Sequence, residues 1–340
     1  PFEQDYTVEG FSTVTYEGTG ATQYIGGTGF SPSLVWMKNR SAAQSHAIVD
    51  VVRGRSKVLF SDLTNAEQTS ATVNDDLVSF DTDGFTVGTP ERAGSTNNNG
   101  SSIVAWSWDM GGTTASNTSG TITSSVRANT TYGQSIVSYS GTGSAATFGH
   151  GLASAPTMVL VKKRSAAANW AVYHASLGNT NTAFLDLTNA ASDNSDWNDT
   201  TPTSSVVSIG AVDRVNGGGS STYIAYCFTD VTGYSKFGSY TGTGVAGLEV
   251  TVGFTPAFVM VKRATGGNGN WGMYDNTRDQ SNSVTSGLMA NLSDAESVES
   301  SLEFTATSFI TNATGTGMNG NGDTYIYMCF ADTREYAYWL

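Results

Sequence analysis

Few residues in this chain have the chemistry of a catalyst. His46, His150 and His174 fall at unlike positions, too scattered to build a metal set or a Ser-His-Asp relay. No Gly-x-Ser-x-Gly elbow, Cys-x-x-Cys pair or Gly-Lys-Ser/Thr phosphate loop occurs. Asp193, Asp196 and Asp199 around Trp197 form the densest acidic cluster. They have the residue types of a glycosidase carboxylate pair, but that chemistry depends on a spatial separation, and the cluster reads as a polar loop. Asp81-Thr82-Asp83-Gly84 opens like a calcium loop, yet the sixth position is Thr86 and the twelfth is Arg92, where an EF-hand needs Gly and Glu. The stretch from Gly242 through Gly244 to Gly247 has the spacing of a dinucleotide fingerprint, which works only at the start of a helix. The corresponding steps elsewhere carry Gln23 and Ala146 in place of the third glycine, so it reads as a turn. No catalytic, cofactor-binding or metal-binding residue is nominated.

The elements that would position any site come in three copies. Gly29-Phe30-Ser31-Pro32 running into Leu34-Val35-Trp36-Met37-Lys38 returns as Ala155-Pro156 running into Met158-Val159-Leu160-Val161-Lys162. It returns again as Gly253-Phe254-Thr255-Pro256 running into Phe258-Val259-Met260-Val261-Lys262. An aromatic-x-Gly-Thr-Gly step opens each copy at Tyr16, Tyr139 and Tyr240, and a strand-like run closes each at Trp106, Tyr226 and Met328. Fixed-period similarity marks one module used repeatedly. Short β-branched and aromatic runs bounded by Gly, Asn, Ser and Thr predict an all-β chain of three tandem β-sandwich modules. Their spans are residues 1–112, 113–232 with a linker at its start, and 233–340. The linker, residues 111–133, has the composition of an extended or mobile connection.

Within a module, the runs from Leu34, Met158 and Phe258 are continuously apolar, so both faces of these strands should be covered. Lys38, Lys162 and Lys262 end them, with Arg40, Arg164 and Arg263 close behind. These cations read either as an anion site or as solvated strand ends beside carboxylates. His46 aligns with Trp170 and Trp271, which points to a slot for a planar ring. Asp50 with Arg53 and Asp275 with Arg278 share a spacing that suggests local salt bridges. Thr64 with Glu67 and Ser293 with Glu296 match a capping box and predict one short helical turn. The Asn-Gly turns at Asn97-Asn98-Asn99-Gly100, Asn216-Gly217 and Asn319-Gly320 predict tight β-connections, with calcium as the other reading. Asn97, Asn98, Asn99 and Trp197 are the candidate surface-binding residues.

Cys227 and Cys329 sit at the position of Ser107 in the first copy. Equivalent positions in separate modules do not face each other, so both are expected to be reduced, buried thiols, in keeping with assembly in a reducing cytoplasm. A net charge of −13 disfavours a phosphate-binding surface, because nucleic acid needs clustered Lys and Arg. There is no apolar run of membrane-spanning length. The first residue is Pro1, consistent with a processed product or a piece of a longer polypeptide.

The motifs quoted, together with Leu63-Thr64-Asn65-Ala66-Glu67, Asp83-Gly84-Phe85 and Asp323-Thr324-Tyr325-Ile326-Tyr327, resemble a repeat family of tailed bacteriophages found in tail fibres and other virion proteins. The resemblance spans residues 10–332 and is weakest in the second copy. It implies a non-enzymatic virion component of lectin-like jelly-roll modules, assembled in the host cytoplasm. It implies other virion proteins and host-surface glycan as partners, and a homo-oligomer, trimer favoured. A glycan-degrading tail enzyme and a non-viral surface adhesin are the alternatives. No cofactor, nucleic acid or membrane insertion is expected. Tyr336, Tyr338, Trp339 and Leu340 would anchor a subunit interface or lie on their own module, since apolar side chains at a chain end gain by docking.

Overall fold

The strand at the heart of each repeat accounts for its own apolar run. In the computed structural model, which describes residues 10–331 except 73, 92, 93 and 280, strands Leu34–Asn39, Met158–Lys163 and Pro256–Arg263 occupy the same place in three antiparallel sheets. Each pairs on one side with the last strand of its repeat: Ser102–Trp108, Thr222–Phe228 or Thr324–Ala331. On the other side lies Ala47–Asp50, Ala171–His174 or Trp271–Asp275. Side chains alternate across a strand, and here both faces meet a core. Val35 and Met37, Val159 and Val161, and Val259 and Val261 point into the core of their own repeat. Leu34 and Trp36, Met158 and Leu160, and Phe258 and Met260 point into one core common to all three.

A second layer closes the private core of each repeat. It contains Gln23–Gly26 with Gly84–Val87, Ala146–Gly149 with Val206–Ile209, and Leu248–Thr251 with Ser308–Thr311. The fold is all-β and sandwich-like. The repeats are not independent beads, because their inner faces converge. Trp108, Phe228 and Phe330, at one position of the three closing strands, touch pairwise with ring centroids 6.4, 5.9 and 5.9 Å apart. Three equivalent residues in mutual contact define a pseudo-threefold axis. Phe11 stacks on Phe330 at 4.9 Å and extends this aromatic column.

The aromatic-x-Gly-Thr-Gly step is a latch built the same way three times. Tyr16, Tyr139 and Tyr240 donate their hydroxyls to the carbonyls of Thr96, Val215 and Met318 at 2.6–2.8 Å. The next residue along, Asn97, Asn216 or Asn319, accepts from the amide of Thr19, Thr142 or Thr243 and donates to Ala21, Ser144 or Val245. The two segments run so close that a Cβ on Gly18, Gly141 or Gly242 would lie 2.1–2.2 Å from a backbone oxygen, which is why glycine stands there. Gly100, Gly219 and Gly322 hold φ of 71°, 71° and 80° in the Asn-Gly turns, the left-handed conformation that glycine adopts freely.

Two local expectations are corrected. The connection at residues 111–133 is packed: strands Ala115–Asn117 and Ser124–Asn129 extend the sheet of the second repeat. The capping-box segments after Leu63 and Leu292 form no helical turn. Each leads into strand instead, and their glutamates are engaged elsewhere.

Candidate functional site

Apart from the latches, several polar groups that the chain repeats lie along the seams between repeats. Trp170 Nε1 donates to the Phe60 carbonyl of repeat one and Trp271 Nε1 to the Phe184 carbonyl of repeat two, both at 2.8 Å. His46 closes the ring, with Nε2 3.0 Å from the Met289 carbonyl of repeat three. Trp36 Nε1 donates to His46 Nδ1 at 2.9 Å; an indole N–H can only donate, so the imidazole proton is on Nε2. The imidazole therefore performs the role of an indole N–H, as its alignment with two tryptophans suggests.

The three strand-end lysines are corrected from solvated cations to buried clamps. Lys38, Lys162 and Lys262 are fully buried. Their ammonium groups donate to the carbonyls of Ser293, Thr64 and Thr188, each in the neighbouring repeat, at 3.2, 2.8 and 3.0 Å. Burial lowers all three to about 8, so they remain charged at neutral pH. Beside them Arg164 grips Glu67, and Arg40 grips Glu296, across two of the seams. These are the carboxylates that sequence spacing assigns to helix caps. The third seam has Ala191 in the glutamate position, and Arg263 turns back to Asp323 of its own repeat at 2.7 Å.

The acid-x-x-Arg pairs are local salt bridges, and both are completed from a neighbour. Asp50 and Arg53 pair with no exposed side-chain surface, and Tyr226 of repeat two donates to Asp50 at 2.7 Å. Asp275 and Arg278 pair at 2.6 Å, and Trp106 of repeat one donates to Asp275 at 3.0 Å. In repeat two His174 holds this place, with Nε2 3.3 Å from the Tyr327 carbonyl.

All three histidines carry Nε2–H and accept at Nδ1, from Trp36, Leu152 and Ser176. Protonating Nδ1 would set two N–H groups against each other. Burial holds all three below the usual imidazole value, His174 at about 4. Between pH 6.5 and about 4 the unfolded chain then binds more protons than the folded one, so stability is present above 6.5 and lost as pH falls. Each pH unit of this window is worth about 1.4 kcal/mol for His174. Urea unfolding should therefore show a midpoint that drops between pH 6.5 and 4, and His174→Gln should flatten that drop.

Two of the four candidate surface residues turn out to be interior. Trp197 is fully buried and packs edge-on against Tyr173 at 5.6 Å, so it cannot meet a ligand at the surface. Asn97 is likewise buried as part of the latch; only Asn98, partly, and Asn99 reach solvent. Asp196 is buried against Arg214, while Asp193 and Asp199 are exposed. Asp83 closes a turn, accepting from Gly29 N at 2.6 Å. Cys227 and Cys329 are free and buried, and burial pushes the Cys227 thiol up to about 12. Tyr336, Tyr338, Trp339 and Leu340 lie outside the described residues.

One open cleft of about 290 Å³ is built within repeat three. Gly272, Tyr274, Gly287, Met289, Asp294 and Glu299 are among the residues that line it. Sequence reasoning missed it. The available signal was the substitution of glycine for Ala171, Thr182, Val212 and Arg214 of repeat two at positions 272, 287, 315 and 317. Among the described residues no group of three His, Cys, Asp or Glu converges to hold a metal ion, and no helix is long and apolar enough to cross a membrane.

No curated protein matches the chain. A family described as a domain of unknown function, DUF7483, matches residues 7–334. That match takes in all three repeats, and the chain belongs to this family.

Proposed function

We propose that the chain is a non-enzymatic structural protein of a tailed-phage particle, a tail fibre or a capsid or tail appendage, with a part in attachment to the host surface. The observation that carries this reading is the use made of its reactive side chains. The three histidines, both cysteines and the three strand-end lysines are all fully buried. His46, His174 and the lysines bond across the seams. Such a construction favours rigidity over chemistry. The motif resemblance to phage virion repeats supplies the setting, and reduced, buried thiols suit assembly in a host cytoplasm. Host glycan and other virion proteins are the proposed partners, and a homotrimer the proposed assembly.

Mass spectrometry of purified particles, with gold-labelled antibody to place the protein on them, tests the reading. The protein should be present at a fixed copy number on a tail or capsid projection. Its absence from intact particles would refute the proposal.

A further inference from the structure

Repeats two and three also differ at a turn and the strands beside it. In repeat two, the short helix Asp213–Asn216 carries Arg214, whose guanidinium lies 5.2 Å from the Phe184 ring centroid. Its Nη2 donates to Asn194 and to Asp196, both at 2.8 Å. The matching turn of repeat three has the same build. Asn319 N bonds Gly315 O as Asn216 N bonds Val212 O, and the Tyr240 and Tyr139 latches reach Met318 and Val215. Gly317 therefore stands where Arg214 stands. Strand register pairs Thr182 with Ser192 and Gly287 with Ser297, which puts Met289 at the place of Phe184 and Glu299 at that of Asn194. The arginine arm is gone, and the space is the cleft of about 290 Å³.

We propose that this cleft takes the guanidinium group of an arginine side chain presented by a partner protein, in the place that Arg214 fills in repeat two. Its lining offers two carboxylates, Asp294 and Glu299, and no Lys or Arg. Glu299 Oε1 accepts from Ser297 at 2.6 Å. Among the described residues, the Tyr274 hydroxyl has no hydrogen-bond partner. A planar donor fork suits carboxylate acceptors better than an ammonium does, and Met289 and Met318 line the cleft with soft apolar surface for its stem. The net charge of −13 favours the approach of a cationic partner. The assignment is independent of where the protein resides.

The test titrates N-acetyl-arginine methylamide against the full chain carrying methyl-labelled methionine, with the neutral citrulline counterpart as control. The arginine probe should shift the Met289 and Met318 methyl resonances saturably, and the citrulline probe should not. Glu299→Gln should weaken binding about tenfold, the loss of one charge-assisted bond. Gly317→Arg should abolish the response by supplying the arm in cis. A Cβ at 317 meets nothing within 4 Å, so that variant should keep the wild-type unfolding midpoint. Equal shifts from both probes, no shift from the arginine probe, or an undiminished response in a folded Gly317→Arg protein would overturn the proposal.

Discussion

Asp50→Ala should lower the unfolding free energy by about 3–5 kcal/mol, the cost of leaving a buried cation without its partner. Asp50 and Arg53 have no exposed side-chain surface. The carboxylate also accepts from the amides of Val52 and Arg53 and from Tyr226 of the next repeat. Removing it takes one partner from a guanidinium, two amides and a phenol in the interior of a seam. Arg53 retains the Ile48 and Lys57 carbonyls at 2.9 and 3.1 Å, the Tyr226 hydroxyl at 3.2 Å and a contact with Glu67 at 3.4 Å, but loses its one fully buried countercharge. Chemical denaturation of the variant reads the loss. An effect below about 1 kcal/mol, the range of an exposed ion pair, would mean that the pair does not sit in the dry seam described. Tyr226→Phe separates the two parts of the network, because it removes only the contribution from the neighbouring repeat.

Phe330→Ala should be comparably damaging, about 3–5 kcal/mol, the range for truncating a buried aromatic side chain. Phe330 is fully buried and meets Trp108, Phe228, Phe11 and Phe258 within 6.4 Å. Those partners come from all three repeats, so the cavity would open on the axis and cannot be closed by movement within one sheet. Phe330→Leu should recover much of the loss. If Phe330→Ala cost no more than truncation of an exposed aromatic such as Tyr24, which is 56% exposed, the common core would not be holding the repeats together.

The sequence made the local structure readable and left the long-range structure obscure. The repeat, the central strands, the Asn-Gly turns, the acid-x-x-Arg pairs and the planar slot at His46 all follow from short-range pattern or from aligning one copy with another. The lysines were unreadable because their partners are backbone carbonyls, which no side-chain pattern reveals, and because one carbonyl on each lysine belongs to a different repeat. Glu67 and Glu296 have the spacing of a capping box, yet Arg164 and Arg40 from neighbouring repeats bind them more strongly than a cap amide could. Trp197 looked like a loop residue among aspartates, but Tyr173 and the repeat-two core enclose it. Continuous apolar runs correctly implied two covered faces, without indicating that one cover would be the other two repeats.

Differential scanning calorimetry of the whole chain tests most directly the claim that three repeats form one closed unit joined by a shared core and buried polar seams. The account predicts one transition whose calorimetric and van't Hoff enthalpies agree, and a shift of that whole transition when Asp50 or Phe330 is replaced. Separate transitions for the repeats, with only one of them moved by a substitution at the axis, would contradict it.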